Sequence, residues 1–178
     1  MTQQGNLRTM GITALCIGVL VLGACGGGDE DTNPAVTAQA AKQATGAVDA
    51  CSLLSQAEAA DAVGGATNPP QSSMIGEGFS QCLWRIQGGS EVDSAVVLQA
   101  RGDTSAEDFE RFVEENAPAA LGELTPIAGL GDQAFQQMAT FVLAGDSMVV
   151  VTVLNGEPLD QQHQRQKALA QAAIDRLP

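Results

Sequence analysis

Residues 147–154 read SMVVVTVL. A half-exposed strand alternates apolar and polar residues, because successive side chains point to opposite faces. This segment is apolar on both faces, so it belongs at the centre of a sheet with packed layers above and below. The run Thr140 to Ala144 precedes it across Gly145-Asp146, a hairpin signal. Downstream, Pro158 suits the first turn of a helix. Leu169, Ala170, Ala173, Ile174 and Leu177 then recur at helical spacing and form one apolar stripe. The glutamine-rich first half of that helix is expected to face solvent.

The elements upstream complete the layers. Ser55-Gln56-Ala57-Glu58 fits a capping box, in which hydroxyl and carboxylate satisfy each other's backbone donors. A short helix from there reaches about Val63 and stops at Gly64-Gly65. The segment 64–78, GGATNPPQSSMIGEG, reads as a long loop, and loops of that length in compact domains are commonly functional or mobile. Phe79 to Gln87 reads as a strand, Gly88-Gly89 as a hairpin turn and Val92 to Arg101 as the returning strand. In the latter, Val92, Ser94, Val96, Leu98 and Ala100 share a face. Thr104-Ser105-Ala106-Glu107 reads as a second capping box, and the helix behind it buries Phe109, Phe112 and Val113. Its other positions, including Glu107, Asp108, Glu110, Glu114 and Glu115, are read as a solvated acidic face. The expectation is an α+β domain: an antiparallel sheet of about five strands flanked by helices, with one disulfide.

The N-terminus reads differently. Arg8 precedes an apolar run of about 11 residues, Ile12 to Leu22. Roughly 20 are needed to span a bilayer, whereas about 7–15 suit a secretory signal. Leu22-Gly23-Ala24-Cys25 resembles the lipobox of bacterial lipoproteins. By that resemblance, residues 1–24 are a signal peptide and Cys25 carries a diacylglyceryl thioether as the first mature residue. Two acyl chains, at about 0.8 kcal/mol per buried methylene, anchor durably where one does not. Residues 25–48 begin with Gly26-Gly27-Gly28 and Asp29-Glu30-Asp31 and read as a flexible, self-extending tether. The folded domain is then 49–178.

Processing simplifies the cysteine count. Of four cysteines, Cys16 leaves with the signal and Cys25 takes the lipid, so Cys51 and Cys82 remain. In an oxidising compartment they are expected to bond to each other. Closing a loop of about 30 residues stabilises by about 3–4 kcal/mol in the chain-entropy model. Their spacing, with no neighbouring Cys or His, does not suit zinc, and no C-x-x-C is present for thiol exchange. Without Arg8, seven basic residues face twenty-one acidic ones, a net charge of −14. That charge argues against nucleic acid as a partner and against direct docking on anionic lipid, leaving the N-terminal lipid as the membrane contact. With one Trp, five Phe and no Tyr, an aromatic-lined sugar cleft has little material.

Three stretches in order, CSLLSQAEAADAVGG at 51–65, CLW at 82–84 and PIAGLGDQAF at 126–135, together with the lipobox, resemble the small bacterial lipoproteins grouped as domain of unknown function 3558. The resemblance spans roughly 49–178. It implies an extracytoplasmic lipoprotein with a disulfide, on the cell membrane or outer membrane. It supplies no catalytic residues, and it makes a part in envelope regulation a possible implication. Trp84, two residues after Cys82 on a strand, is expected on the same face, packed on the disulfide. Gly129-Leu130-Gly131-Asp132 reads as a turn entering a strand, with glycines permitting positive φ and Asp132 bonding nearby amides.

No stretch announces a reaction. There is no G-x-S-x-G, and the single histidine, His163, lies among glutamines without a visible carboxylate partner. No pair of carboxylates stands out for glycoside hydrolysis, and no calcium loop or His/Cys cluster is present. Neither catalytic, cofactor nor metal residues are assigned. The leading expectation is a non-enzymatic envelope lipoprotein that binds a protein or small ligand, with 64–78 as the contact. A cell-wall hydrolase using scattered carboxylates and a purely structural role are the alternatives.

Overall fold

The computed structural model describes residues 48–76, 78–88 and 94–178. The signal peptide, Cys25, nearly all of the tether and part of the Gly88-Gly89 hairpin lie outside the described residues. The domain is α+β. A seven-stranded, wholly antiparallel sheet carries helices on both faces. In chain order the elements are α1 (Ala50–Leu53), α2 (Gln56–Val63), β1 (Gln71–Ile75), β2 (Phe79–Arg85), β3 (Ala95–Arg101), α3 (Ala106–Asn116), β4 (Thr125–Pro126), β5 (Gln133–Gln136), β6 (Thr140–Ala144), β7 (Ser147–Leu154) and α4 (Leu159–Ile174). The spatial order is β1-β2-β3-β7-β6-β5-β4.

The doubly apolar strand β7 is the middle of that order, between β3 and β6. Its odd-numbered valines, Val149, Val151 and Val153, are fully buried beneath α1, α2 and α4. Met148 and Val150 point the other way, into the cluster under α3. Register carries the two layers across the sheet: Cys82, Leu98 and Val151 form one row, Trp84, Val96 and Val153 the next. β3 buries Val96, Leu98 and Ala100 on its expected face.

The sheet has seven strands where about five were expected. One addition is the two-residue β4. The other is β1, which lies inside the segment read as loop, 64–78. Four of its five residues are exposed and only Ile75 is half-buried, so no apolar alternation marks it. It is held by its backbone ladder to β2 as the edge of the sheet.

The capping box at Ser55 is present in both directions: Ser55 N donates to Glu58 Oε2 at 2.8 Å, and Glu58 N to Ser55 Oγ at 3.3 Å. At α3 the cap is one residue later than expected. Ser105, not Thr104, is the N-cap, accepting from Asp108 N at 3.1 Å. Thr104 is buried instead, its N–H donating to Asp146 O at 2.7 Å, which docks the helix start on the β6–β7 turn. Pro158 precedes α4 as its N-cap residue.

The first half of α4 is not wholly exposed. Gln166 is fully buried. Its Oε1 accepts from Gln136 Nε2 at 2.7 Å and Thr140 Oγ1 at 3.3 Å, and its Nε2 donates to Met138 O at 3.0 Å. A buried amide survives where its donors and acceptor are matched.

Candidate functional site

The chain enters the domain under close control. Val48 is buried in the larger core cluster, its carbonyl accepting from Ser80 Oγ, and Ala50 N donates to the same hydroxyl at 2.9 Å. Cys51 in α1 is bonded to Cys82 in β2, with Cα atoms 5.0 Å apart. Trp84, on the same face as Cys82, is completely buried in that cluster.

The other face of the sheet holds a grouping that periodicity alone does not show. All five phenylalanines of the chain, Phe79, Phe109, Phe112, Phe135 and Phe141, collect there around α3. Phe79 of β2 and Phe112 of α3 stack with ring centroids 5.1 Å apart, and Phe112 meets Phe141 edge-on at 6.3 Å. α3 packs on β6 and reaches β2 through Phe112. Beside Phe112 lies a cleft of about 370 Å³. Its apolar wall is Ile75, Phe79 and Phe112, and its polar groups are Gln99, Arg101 and Asn116.

Arg101 sits with its guanidinium carbon 5.6 Å from the Phe79 ring centroid. That is a cation–π arrangement. Among the described residues no carboxylate lies within ion-pair distance of it. Behind the cleft, Gln99 Nε2 donates to Gln81 Oε1 at 3.2 Å, and Asn116 Nδ2 donates to Phe112 O at 2.8 Å. Ile75 and Gly76, the end of β1 and its turn, form one rim. The segment expected to be the contact therefore reaches the cleft at its C-terminal end only.

A second groove, of about 250 Å³, lies between α2 and α4 over Ala62, Leu169 and Ala172. Its arginine and Glu58 are already paired. Arg165 clasps Glu157 through two bonds of 2.7 and 2.8 Å and donates to Asp61 O at 2.8 Å. Arg176 holds Glu58 at 2.7 and 2.9 Å and donates to Leu53 O at 2.8 Å. The Arg176 guanidinium takes the Glu58 carboxyl down from 4.5 to about 2 against the opposing effect of burial, with the Ser55 bonds adding to the lowering. Glu157 is likewise lowered, chiefly by Arg165. The pairing of Glu58 with Arg176 joins α2 to the chain just after α4, and Arg165, paired with Glu157, reaches the Asp61 carbonyl of α2, so this side is a fastening between helices.

The remaining candidates do not assemble. His163 is half-buried, with Nε2 shielded from solvent and unbonded, rather than on an exposed surface. Among the described residues no group of three His, Cys, Asp or Glu side chains is placed to hold a metal. Glu107, Glu110, Glu114 and Glu115 of α3 are exposed, and Asp108 pairs with Arg111 within the helix. The turn at Gly129–Asp132 is a fastening too: Asp132 Oδ2 accepts from Gly145 N at 2.7 Å, and Asp132 N donates to Leu143 O at 2.8 Å. Among the described residues, no helix is long and apolar enough to cross a membrane.

Sequence reasoning missed the cleft because its parts are far apart in the chain, at 75–79, 99–101 and 112–116. The available signal was the spacing of Phe112 beside Phe109: it gives α3 an apolar stripe wide enough to reach β2 as well as β6. No protein-family model, curated protein or solved structure matches the chain.

Proposed function

We propose that this chain is a lipid-anchored extracytoplasmic protein of the cell envelope, attached through Cys25, whose domain is a non-enzymatic binding module. In this reading the tether holds the domain off the membrane, and the lipobox and the three motifs align it with the lipoproteins of domain of unknown function 3558. The observation that carries the binding assignment is the cleft beside Ile75 and Gly76. It combines an aromatic wall with an arginine that no described carboxylate neutralises, in a chain of strongly negative charge. Concave, mostly apolar sites with a few polar groups are the usual form of a small-ligand site.

Two measurements test the reading. Intact-mass analysis of the membrane fraction should find a mature chain starting at an acylated residue 25, and Cys25→Ser should move the protein out of that fraction. A photo-crosslinking residue at position 73, exposed on the rim strand and on the same sheet face as Ile75, should label a reproducible envelope component. An unacylated residue 25 refutes the anchor. Turnover of peptidoglycan fragments abolished by a single Asp or Glu substitution refutes the non-enzymatic assignment.

A further inference from the structure

Resting on the binding-module reading, we infer that the cleft takes a small monoanionic amphiphile, its carboxylate on Arg101 and its hydrocarbon along Ile75, Phe79 and Phe112. The cleft volume is about 370 Å³. Small-molecule sites run from about 300 to about 1000 Å³, so a ligand of modest size fits.

The head group follows from charge and geometry. Three other arginines of the domain, Arg111, Arg165 and Arg176, are each bonded to a carboxylate. Arg101 instead lies against Phe79, its guanidinium carbon 5.6 Å from the ring centroid, and no described carboxylate pairs with it. A guanidinium edge matches a carboxylate through two parallel hydrogen bonds. Gln99 and Asn116 each spend one amide N–H on the protein and retain a second.

The cleft disfavours a more highly charged ligand. Asn116 is the last residue of α3, so the negative end of that helix dipole lies at the cleft. No lysine lines it. One cation beside a negative helix end balances one negative charge and leaves a phosphate dianion or a nucleotide undercompensated. The tail follows from the walls: Phe79 and Phe112 stack to make a continuous apolar surface that Ile75 extends.

The test uses the mature chain, residues 25–178 carrying Cys25→Ser, titrated calorimetrically with acetate, butyrate and octanoate, and with octanol as the neutral tail. Affinity should rise along the acid series by up to about fourfold per added methylene, the ratio that burial of one methylene supplies. Octanol should bind at least ten times more weakly than octanoate. Arg101→Gln should weaken octanoate at least tenfold and octanol by a far smaller factor, and Arg101→Lys should recover part of the octanoate loss. Unchanged Trp84 emission will show that the variants fold. Absence of saturable octanoate binding, a flat acid series, or octanoate binding indifferent to Arg101→Gln overturns the ligand class. If crosslinking from position 73 still labels an envelope component, the binding module survives that result; if it does not, both readings fall together.

Discussion

The turn Gly129–Asp132 permits a differential measurement of steric strain. Gly129 and Gly131 both have positive φ, +76° and +60°. They differ in what a Cβ would meet. At Gly129 there is nothing within 4 Å, whereas at Gly131 Val142 Cγ1 would lie at 2.6 Å and Leu143 O closer still. Gly129→Ala therefore adds only the left-handed penalty, about 1–2 kcal/mol. Gly131→Ala adds that penalty and forces a backbone carbonyl away, an overpacking cost of about 1–3 kcal/mol. The same Leu143 carbonyl accepts from Asp132 N, so the displacement also strains that hydrogen bond. Any gain from a stiffer unfolded chain is common to both variants and cancels in the comparison. The expected destabilisations are about 1.5 and about 3.5 kcal/mol, or melting temperatures lower by roughly 6 and roughly 14 °C for a domain of this size. Trp84, the sole tryptophan and fully buried, reports unfolding by its emission. Equal losses in the two variants would refute the packing of this turn against β6.

Other outcomes are equally open to measurement. Replacing Cys51 and Cys82 together by Ser should lower denaturant stability by about 3–4 kcal/mol, read by the same emission. Gln166→Leu should cost about 1–2 kcal/mol, because it removes the donor to Met138 O, while Gln136 Nε2 keeps Ala139 O and Thr140 Oγ1 keeps Gln136 Oε1; a neutral result would contradict the role of the Met138 bond. Glu58 has a folded-state pKa below its unfolded value, so its contribution is present above pH 4.5 and is lost as pH falls toward about 2. Arg176→Gln should flatten the stability curve in that window, and an unchanged acid limb would contradict the pairing.

What was legible in the sequence was whatever a short window encodes. The Ser55–Glu58 box, the Gly145-Asp146 hairpin, the buried face of β3 and the central placing of β7 are local patterns, and the fold follows them. What was not legible depends on partners remote in the chain. β1 carries no apolar alternation because this edge strand, exposed at four of its five residues, is held chiefly by its backbone ladder to β2. Gln166 reads as solvent-facing because its partners Gln136, Thr140 and Met138 belong to a distant stretch of the chain. At α3 two adjacent hydroxyls both offer a cap with an acid three residues on, and only the docking of Thr104 on Asp146 decides for Ser105. The cleft is the extreme case, since Phe79, Arg101 and Phe112 come from three separate elements.

The fastening of Val48 to Cys51 also has a mechanical meaning. Within four residues the incoming chain is tied to β2 by two hydrogen bonds to Ser80 and one covalent bond to Cys82. A pull on the N-terminal segment loads those links, and peeling from that end stops at Cys51 for as long as the disulfide is oxidised. Reduction moves the next stopping point inward, to the packing of α2 under Arg176. The domain thus resists force from the direction of the proposed anchor by a bolt whose release is chemical, while its cleft, on the opposite face of the sheet, lies outside the line of tension.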